Sequence, residues 1–265
     1  MKDRLSIKEF SELSNIDAST LRYWDDIGLF SPTCRDSDNN YRYYSPLQVI
    51  VVDFITVLRS LGVPLKTIKE MAGKRNPEII AKLIGRQEKI LDKKMAKLRD
   101  DYALIHTRLE LINRGRVADE KKISIVHQEE MPFILGPRND TNNNDSIYEP
   151  FTKLCNVADE MRFNLDFPIG GYYDDIGSFI KNSRVPSHLY IMDPNGNRTR
   201  PAGKYLTAFH RGYYGEFADL PKRMMQYAKD NKLALTSPVY TIYLHDETCL
   251  NDSNQYLVQA CVAVE

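Results

Sequence analysis

Asp17-Ala18-Ser19-Thr20-Leu21-Arg22-Tyr23-Trp24-Asp25-Asp26-Ile27-Gly28 is the stretch on which the fold turns. Asp17 can cap a helix over Ala18 to Asp26 that ends near Gly28, because a short acidic side chain accepts from free first-turn amides and glycine tolerates the turn that follows. Just upstream, Ser6 precedes Ile7, Phe10 and Leu13 on one helical face, with Glu9 three residues on, which is the pattern of a capping box. Two short helices separated by about four residues make a helix-turn-helix.

Working outward, Pro32 to Tyr44 carries turn residues in its middle and β-formers at its end, which predicts a hairpin wing. Ser45-Pro46 opens an apolar helix through about Leu61, Gly62 stops it, and Leu65 to Met71 gives one more short helix. From about Pro77 the pattern becomes heptad: Ile84, Leu91, Leu98, Ile105 and Ile112 recur every seven residues, with Met95, Tyr102 and Leu109 between them and Glu88 as one interruption. Such a seam pairs with a second copy in a coiled coil; the competing reading packs the long helix on its own C-terminal domain.

After Lys122 the spacing turns to strands, at Ile123 to His127 and Phe133 to Gly136, followed by a polar loop, Asn139 to Asp145. Then come a helix over Ile147 to Asn164, strands near Gly171 to Asp174 and His188 to Asp193, and a turn at Pro194-Asn195-Gly196. A strand over Lys204 to Arg211, a helix over Phe217 to Asn231, and strands over Val239 to His245 and Tyr256 to Val264 close the chain. Strand, helix, strand, strand occurs twice, which predicts two sheets or half-sheets with helices behind and a cleft at their junction. The expected class is α+β: a winged helix-turn-helix over 1–75, a coiled-coil dimerisation helix over 76–120 and a duplicated C-terminal domain over 121–265.

The zero net charge conceals an asymmetry. Met1 to Lys122 holds 23 Lys+Arg against 18 Asp+Glu and the remainder 13 against 18, so the halves are +5 and −5, as expected if the first meets a polyanion. No run approaches the roughly 18 apolar residues of a membrane span, and the chain reads as cytoplasmic. Cys34, Cys155, Cys249 and Cys261 form no C-x-x-C pair and sit at no metal-finger spacing, so unpaired thiols and no metal or other cofactor are expected.

In a helix-turn-helix the second helix enters the major groove, and here it carries Ser19, Thr20, Arg22, Tyr23 and Trp24. Arginine donates two parallel hydrogen bonds to guanine, while hydroxyls and aromatic edges hold the backbone. Wing residues Tyr41, Arg42 and Tyr43 reach a flanking phosphate or the minor groove; in the competing reading one of Tyr23 and Trp24 belongs to the core. Leu21 to Leu29, then Tyr41-Arg42-Tyr43-Tyr44, then Leu61-Gly62-Val63-Pro64-Leu65-Lys66-Thr67-Ile68 resemble, in that order, the signature of the MerR family of transcription regulators. The resemblance implies a homodimer joined along antiparallel long helices, bound to double-stranded promoter DNA, with Lys66 among the DNA-binding residues. It also implies an activator that distorts an over-long promoter spacer for RNA polymerase, a deformation that costs several kcal/mol (roughly 1 to 6). Trp24 stands where many members have tyrosine.

No cysteine lies in Arg114 to Lys122, so the thiolate site of the metal-sensing members is missing. Gly203-Lys204-Tyr205, Tyr227 to Asn231 and Val239-Tyr240 with the strand around Tyr256 instead resemble the multidrug-efflux regulators of the family, whose C-terminal half is a GyrI-like drug-binding domain. Eleven of the sixteen tyrosines follow Lys122, as an aromatic-lined site for a small aromatic or lipophilic effector needs. The expected lining is Tyr148, Tyr172, Tyr173, Phe217, Tyr240, Thr241, Tyr256 and Gln259. Drug-binding relatives carry a buried glutamate after the tyrosine of the Val-Tyr pair; here that position is Thr241, and Gln259 stands in the last strand where an acid is common. Without a carboxylate the burial of a cation is not offset, which favours a neutral or weakly polar aromatic ligand, unless Glu216 or Asp174 substitutes. Two other readings compete: a GyrI-like hydrolase, for which the acid is missing and no Ser/His/Asp or Cys/His motif compensates, and a ligand-independent repressor or interaction protein.

Overall fold

The structure, a computed structural model, describes residues 3–73, 76–139, 148–161 and 165–265. Its contacts divide the chain into two compact units, Met1–Lys97 and Leu98–Glu265.

In the first unit a short strand β1 (Leu5–Ser6) runs into helix α1 (Ile7–Ser14). The expected capping box is present: the Ser6 hydroxyl accepts from the Glu9 amide, and the Ser6 amide donates to the Glu9 carboxylate at 2.8 Å. Asn15, with φ 52, ends α1, and α2 (Ala18–Asp26) follows. Asp17 caps α2 with its backbone carbonyl, which accepts from Leu21 at 3.0 Å, and not with the expected side chain. Gly28, at φ 70, supplies the left-handed turn after α2 that a side chain would strain. The wing is β2 (Cys34–Arg35) and β3 (Arg42–Tyr44), to which β1 adds a third strand that two residues of sequence gave no periodicity to reveal. A 3₁₀ turn over Pro46–Gln48 leads into α3 (Val49–Ser60); α4 (Leu65–Ala72) and the 40-residue α5 (Pro77–Arg116) follow. The core stacks Phe10 on Tyr44 at 4.6 Å and on Phe30 at 5.9 Å, closed by Leu21, Trp24, Val52, Ile55, Leu58 and Ile68. Each such side chain stabilises the fold by about 1.5–3 kcal/mol on burial.

The second unit holds an eight-stranded antiparallel sheet and packs the C-terminal part of α5. Its strands are β4 (Ser124–Gln128), β5 (Met131–Arg138), β6 (Ile169–Tyr173), β7 (His188–Ile191), β8 (Arg198–Arg200), β9 (Gly203–Arg211), β10 (Leu235–His245) and β11 (Leu257–Val264). Helices α6 (Tyr148–Met161), α7 (Ile176–Lys181) and α8 (Leu220–Asp230) accompany them. The sheet order β4-β9-β11-β10-β6-β7-β5-β8 resolves the duplication. β5-α6-β6-β7 and β9-α8-β10-β11 are the two copies, and they join where β6 pairs with β10, Gly171 opposite Thr241. The two half-sheets therefore form one continuous sheet. α7 and β8, six and three residues long, were too short to show a period. α8 begins three residues later than expected because Pro221 fits the first turn, which leaves Phe217 free to enter the core. Residues 140–145 of the expected polar loop, and Ile147 and 162–164 of the expected helix, lie outside the described residues.

The C-terminal part of the long helix packs on its own C-terminal domain through one face. Ala103 and Leu104 pack on Ile134, Leu154 and Phe167, and Leu111 is buried against Ile242, Leu244 and Leu257. The heptad residues Ile84, Leu91, Met95, Leu98, Tyr102, Ile105 and Leu109 stay exposed.

Candidate functional site

The 3.6-residue period of α2 sorts its side chains. Leu21 and Trp24 turn inward, Trp24 only 1% exposed, while Ser19, Arg22 and Tyr23 project outward and Thr20 is half-buried. Trp24 is thus a core residue and is withdrawn from the expected DNA-contacting set: the bulky ring holds α2 against α1 and α3, and its neighbour Tyr23, 53% exposed, is the aromatic left on the surface. In the wing Tyr41 is exposed and Tyr43 half-buried, their rings 6.4 Å apart; Lys66 is exposed on α4. Arg42 points back at α2, its Nε 2.6 Å from Asp25 Oδ2 and its Nη2 3.2 Å from Asp26 Oδ1. Arg35 of β2 donates to the same Asp25 oxygen.

The second candidate is a cavity of about 450 Å³ in the C-terminal unit, within the size range of small-molecule pockets. Its floor is the β6·β10 junction. Gly170, Gly171 and Thr241 lie there, and a Cβ on Gly171 would stand 2.6 Å from Thr241 Oγ1, so only a bare backbone leaves the floor open. Tyr173, Phe217 and Tyr243 form its walls, Tyr148, Tyr213 and Tyr214 its aromatic mouth, and Arg108 of α5, Asp246 and Glu247 its charged rim.

Several polar groups of this cavity are already engaged. Tyr173 donates to the Ser183 carbonyl at 2.6 Å, Tyr243 to the Tyr213 carbonyl at 2.9 Å, and the Thr241 hydroxyl lies 3.4 Å from the Gly171 carbonyl. Asp246 faces Arg108 at 3.6 Å, and Glu247 accepts from the Tyr214 hydroxyl. Burial raises the Tyr173 and Tyr243 phenols; Tyr214 is raised by burial and by its bond to Glu247. All three stay neutral and act as apolar walls with a fixed hydroxyl.

Of the expected lining, Tyr148, Tyr173, Phe217 and Thr241 meet in this cavity. Tyr172, Tyr240 and Gln259 do not. Side chains alternate across a sheet, so Tyr172 and Tyr240 fall on the opposite face, in a ring cluster with Phe133 and Tyr190. Gln259 lies on that face too and accepts from Arg114 at 3.3 Å. Tyr256 packs behind the mouth, 5.5 Å from the Tyr214 ring. Neither suggested substitute acid reaches the cavity lining: Asp174 pairs with Arg138 at 2.6 Å, and Glu216 is exposed. Tyr213, Tyr214, Tyr243 and Arg108 escaped sequence reasoning. The Tyr213-Tyr214-Gly215 run was a usable signal, since Gly215 takes φ 80 to turn the two rings together.

Among the described residues no group of three His, Cys, Asp or Glu is placed to hold a metal, and no helix is long and apolar enough to cross a membrane. Residues 5–74 match the family model described as MerR HTH family regulatory protein. Over most of its length the chain is similar to two proteins of Bacillus subtilis (strain 168). The multidrug-efflux transporter 2 regulator is 26% identical over 252 residues, covering 93% of this chain and 91% of the relative. The multidrug-efflux transporter 1 regulator is 26% identical over 276 residues, covering 98% and 97%. The transcriptional regulator BrlR of Pseudomonas aeruginosa is 43% identical over 67 residues, 25% of each chain.

Proposed function

Since residues 5–74 are a helix-turn-helix domain of the MerR family, we propose that the chain is a ligand-responsive transcription activator that binds promoter DNA through α2 and the wing and a small aromatic molecule in the cavity over the β6·β10 junction. The observation that carries this reading is the division of α2: Leu21 and Trp24 anchor it while Ser19, Arg22 and Tyr23 are left bare. Arg22 reads a base edge or grips phosphate, Ser19, Thr20, Tyr23, Tyr41 and Lys66 hold the backbone, and Tyr43 braces the wing.

The exposed heptad face of α5 supports a homodimer, whose two α2 helices would meet successive major grooves of one duplex, about 34–36 Å apart. Distortion of the promoter between them would let RNA polymerase engage it. Chain segments 1–75, 76–120 and 121–265 would act as DNA-binding domain, dimerisation helix and effector domain. The long relatives are named as regulators, which supports a sensor over a hydrolase.

The cavity favours a neutral or weakly polar planar ligand. Thr241 occupies its floor, where a carboxylate would be needed to offset the burial of a cation, and the two rim carboxylates are held by Arg108 and Tyr214. The test is joint: gel shift against a duplex selected by the full chain from a random library, and thermal shift with matched neutral and cationic aromatics. Arg22→Ala should weaken the gel shift, and ligands should raise the melting temperature without being consumed. Failure to select any sequence would end the DNA reading.

A further inference from the structure

Arg35 and Arg42 are register partners across the β2–β3 hairpin. Like charges directly opposite each other on an antiparallel pair repel, so a hairpin built this way needs a counter-ion between them. Asp25 supplies it from the recognition helix: one carboxylate oxygen accepts from Arg35 and, at 2.6 Å, from Arg42 Nε, and its side chain is only 4% exposed. Ser31 adds a hydrogen bond, and Arg42 is held a second time by Asp26 at 3.2 Å. Burial alone would raise the Asp25 carboxyl, yet the hydrogen bonds from Arg42 and Ser31 and the two positive charges hold it below the ordinary aspartate value. It is therefore fully ionised at neutral pH. Two arginines on a DNA-facing wing are thus spent on a protein carboxylate.

We propose that Asp25 is a positioning residue for specificity: by clamping Arg35 and Arg42 it fixes the wing against α2 and withholds two guanidiniums from the phosphates, trading indiscriminate affinity for sequence discrimination. The inference rests on the DNA-binding reading above. Freed guanidiniums would seek the backbone, and each phosphate neutralised steepens the dependence of log K on log salt by about 0.9.

The experiment measures binding of the full chain to the library-selected duplex and to poly(dI-dC) across a salt series, for wild type, Asp25→Asn, Arg35→Gln and the double variant. Asp25→Asn should steepen the salt slope by about 1 to 2 per protomer, tighten binding to poly(dI-dC), and lower the ratio of selected to poly(dI-dC) affinity at least tenfold. Arg35→Gln alone should leave the slope unchanged, and in the double variant it should cancel about 1 of the increase. An unchanged or shallower slope in Asp25→Asn overturns the proposal. If Asp25→Asn does not fold, Arg35→Gln decides: a slope shallower by about 1 would mean that Arg35 already holds phosphate, and the proposal falls. Arg22→Ala in the same series separates the two levels, since full affinity in that variant would overturn the DNA reading itself.

Discussion

Thr241→Glu tests the ligand reading at the floor of the cavity. Thr241 is 3% exposed at the floor of the cavity, opposite Gly171, and Arg108 at the rim is already facing Asp246. A glutamate there would be desolvated without a partner. If burial raises its carboxyl from about 4.3 to about 7, the shift corresponds to about 3 to 4 kcal/mol of stability lost at pH 7, at 1.36 kcal/mol per pH unit. The sign follows from linkage: the folded form binds its proton more tightly, so the penalty is absent below about pH 4.3 and grows as pH rises towards the folded value. A lipophilic cation in the cavity would offset that penalty, whereas a neutral ligand would not. Urea unfolding at pH 5 and pH 7 measures the first effect, and calorimetric titration with N-methylquinolinium and its neutral isostere 1-methylnaphthalene the second. Wild type should prefer the neutral compound, and Thr241→Glu should shift the preference towards the cation by about 10- to 100-fold, the value of roughly 1.4–3 kcal/mol for a charge-assisted contact. A wild-type protein that prefers the cation, or a variant that leaves the ratio where it was, refutes the reasoning.

Arg22→Ala should weaken binding to the selected duplex by about 1–3 kcal/mol and relax base preference at one position of each half-site, read by competition gel shift. Leu98→Asp with Ile105→Asp, at heptad positions 66% and 67% exposed, should convert a dimer into a monomer in sedimentation equilibrium while near-ultraviolet circular dichroism of the folded units persists. Gly115→Ala would set a Cβ 2.5 Å from His245 Nε2, whose ring also contacts the Ile112 carbonyl at 3.0 Å, and should cost about 1–3 kcal/mol in urea unfolding. His210 is pushed below 6.5 chiefly by burial, so the unfolded chain takes up the proton first; stability is lost as pH falls from about 6.5 towards the folded value, and His210→Gln should flatten that loss between pH 7 and 5.5. Trp24, being buried, should emit at short wavelength, resist acrylamide, and respond little to DNA.

The DNA-binding half was legible because its signals are local. A capping box four residues long, a glycine at φ 70 and an apolar step of three to four residues set α1 and α2 within their own segments, and α2 runs over the same residues that its spacing predicted. The heptad of α5 was legible for the same reason, although which of its faces the second unit would cover was not. The duplicated β-α-β-β order could also be read, since each strand and helix declares its own period. What the tertiary structure alone decided is which side of each element looks into which space. Tyr172 and Tyr173 are neighbours in sequence, yet the pleat sends Tyr240 and Tyr172 to one face of the sheet and Tyr173 and Thr241 to the other. Likewise nothing in the order of residues tells that Arg42 turns back to Asp25, or that Arg108, 138 residues before Asp246, closes the rim of its cavity. Periodicity is a property of consecutive residues, whereas a cavity or an ion pair is made by segments whose meeting depends on strand order and register, and those are fixed by the packing of the whole sheet.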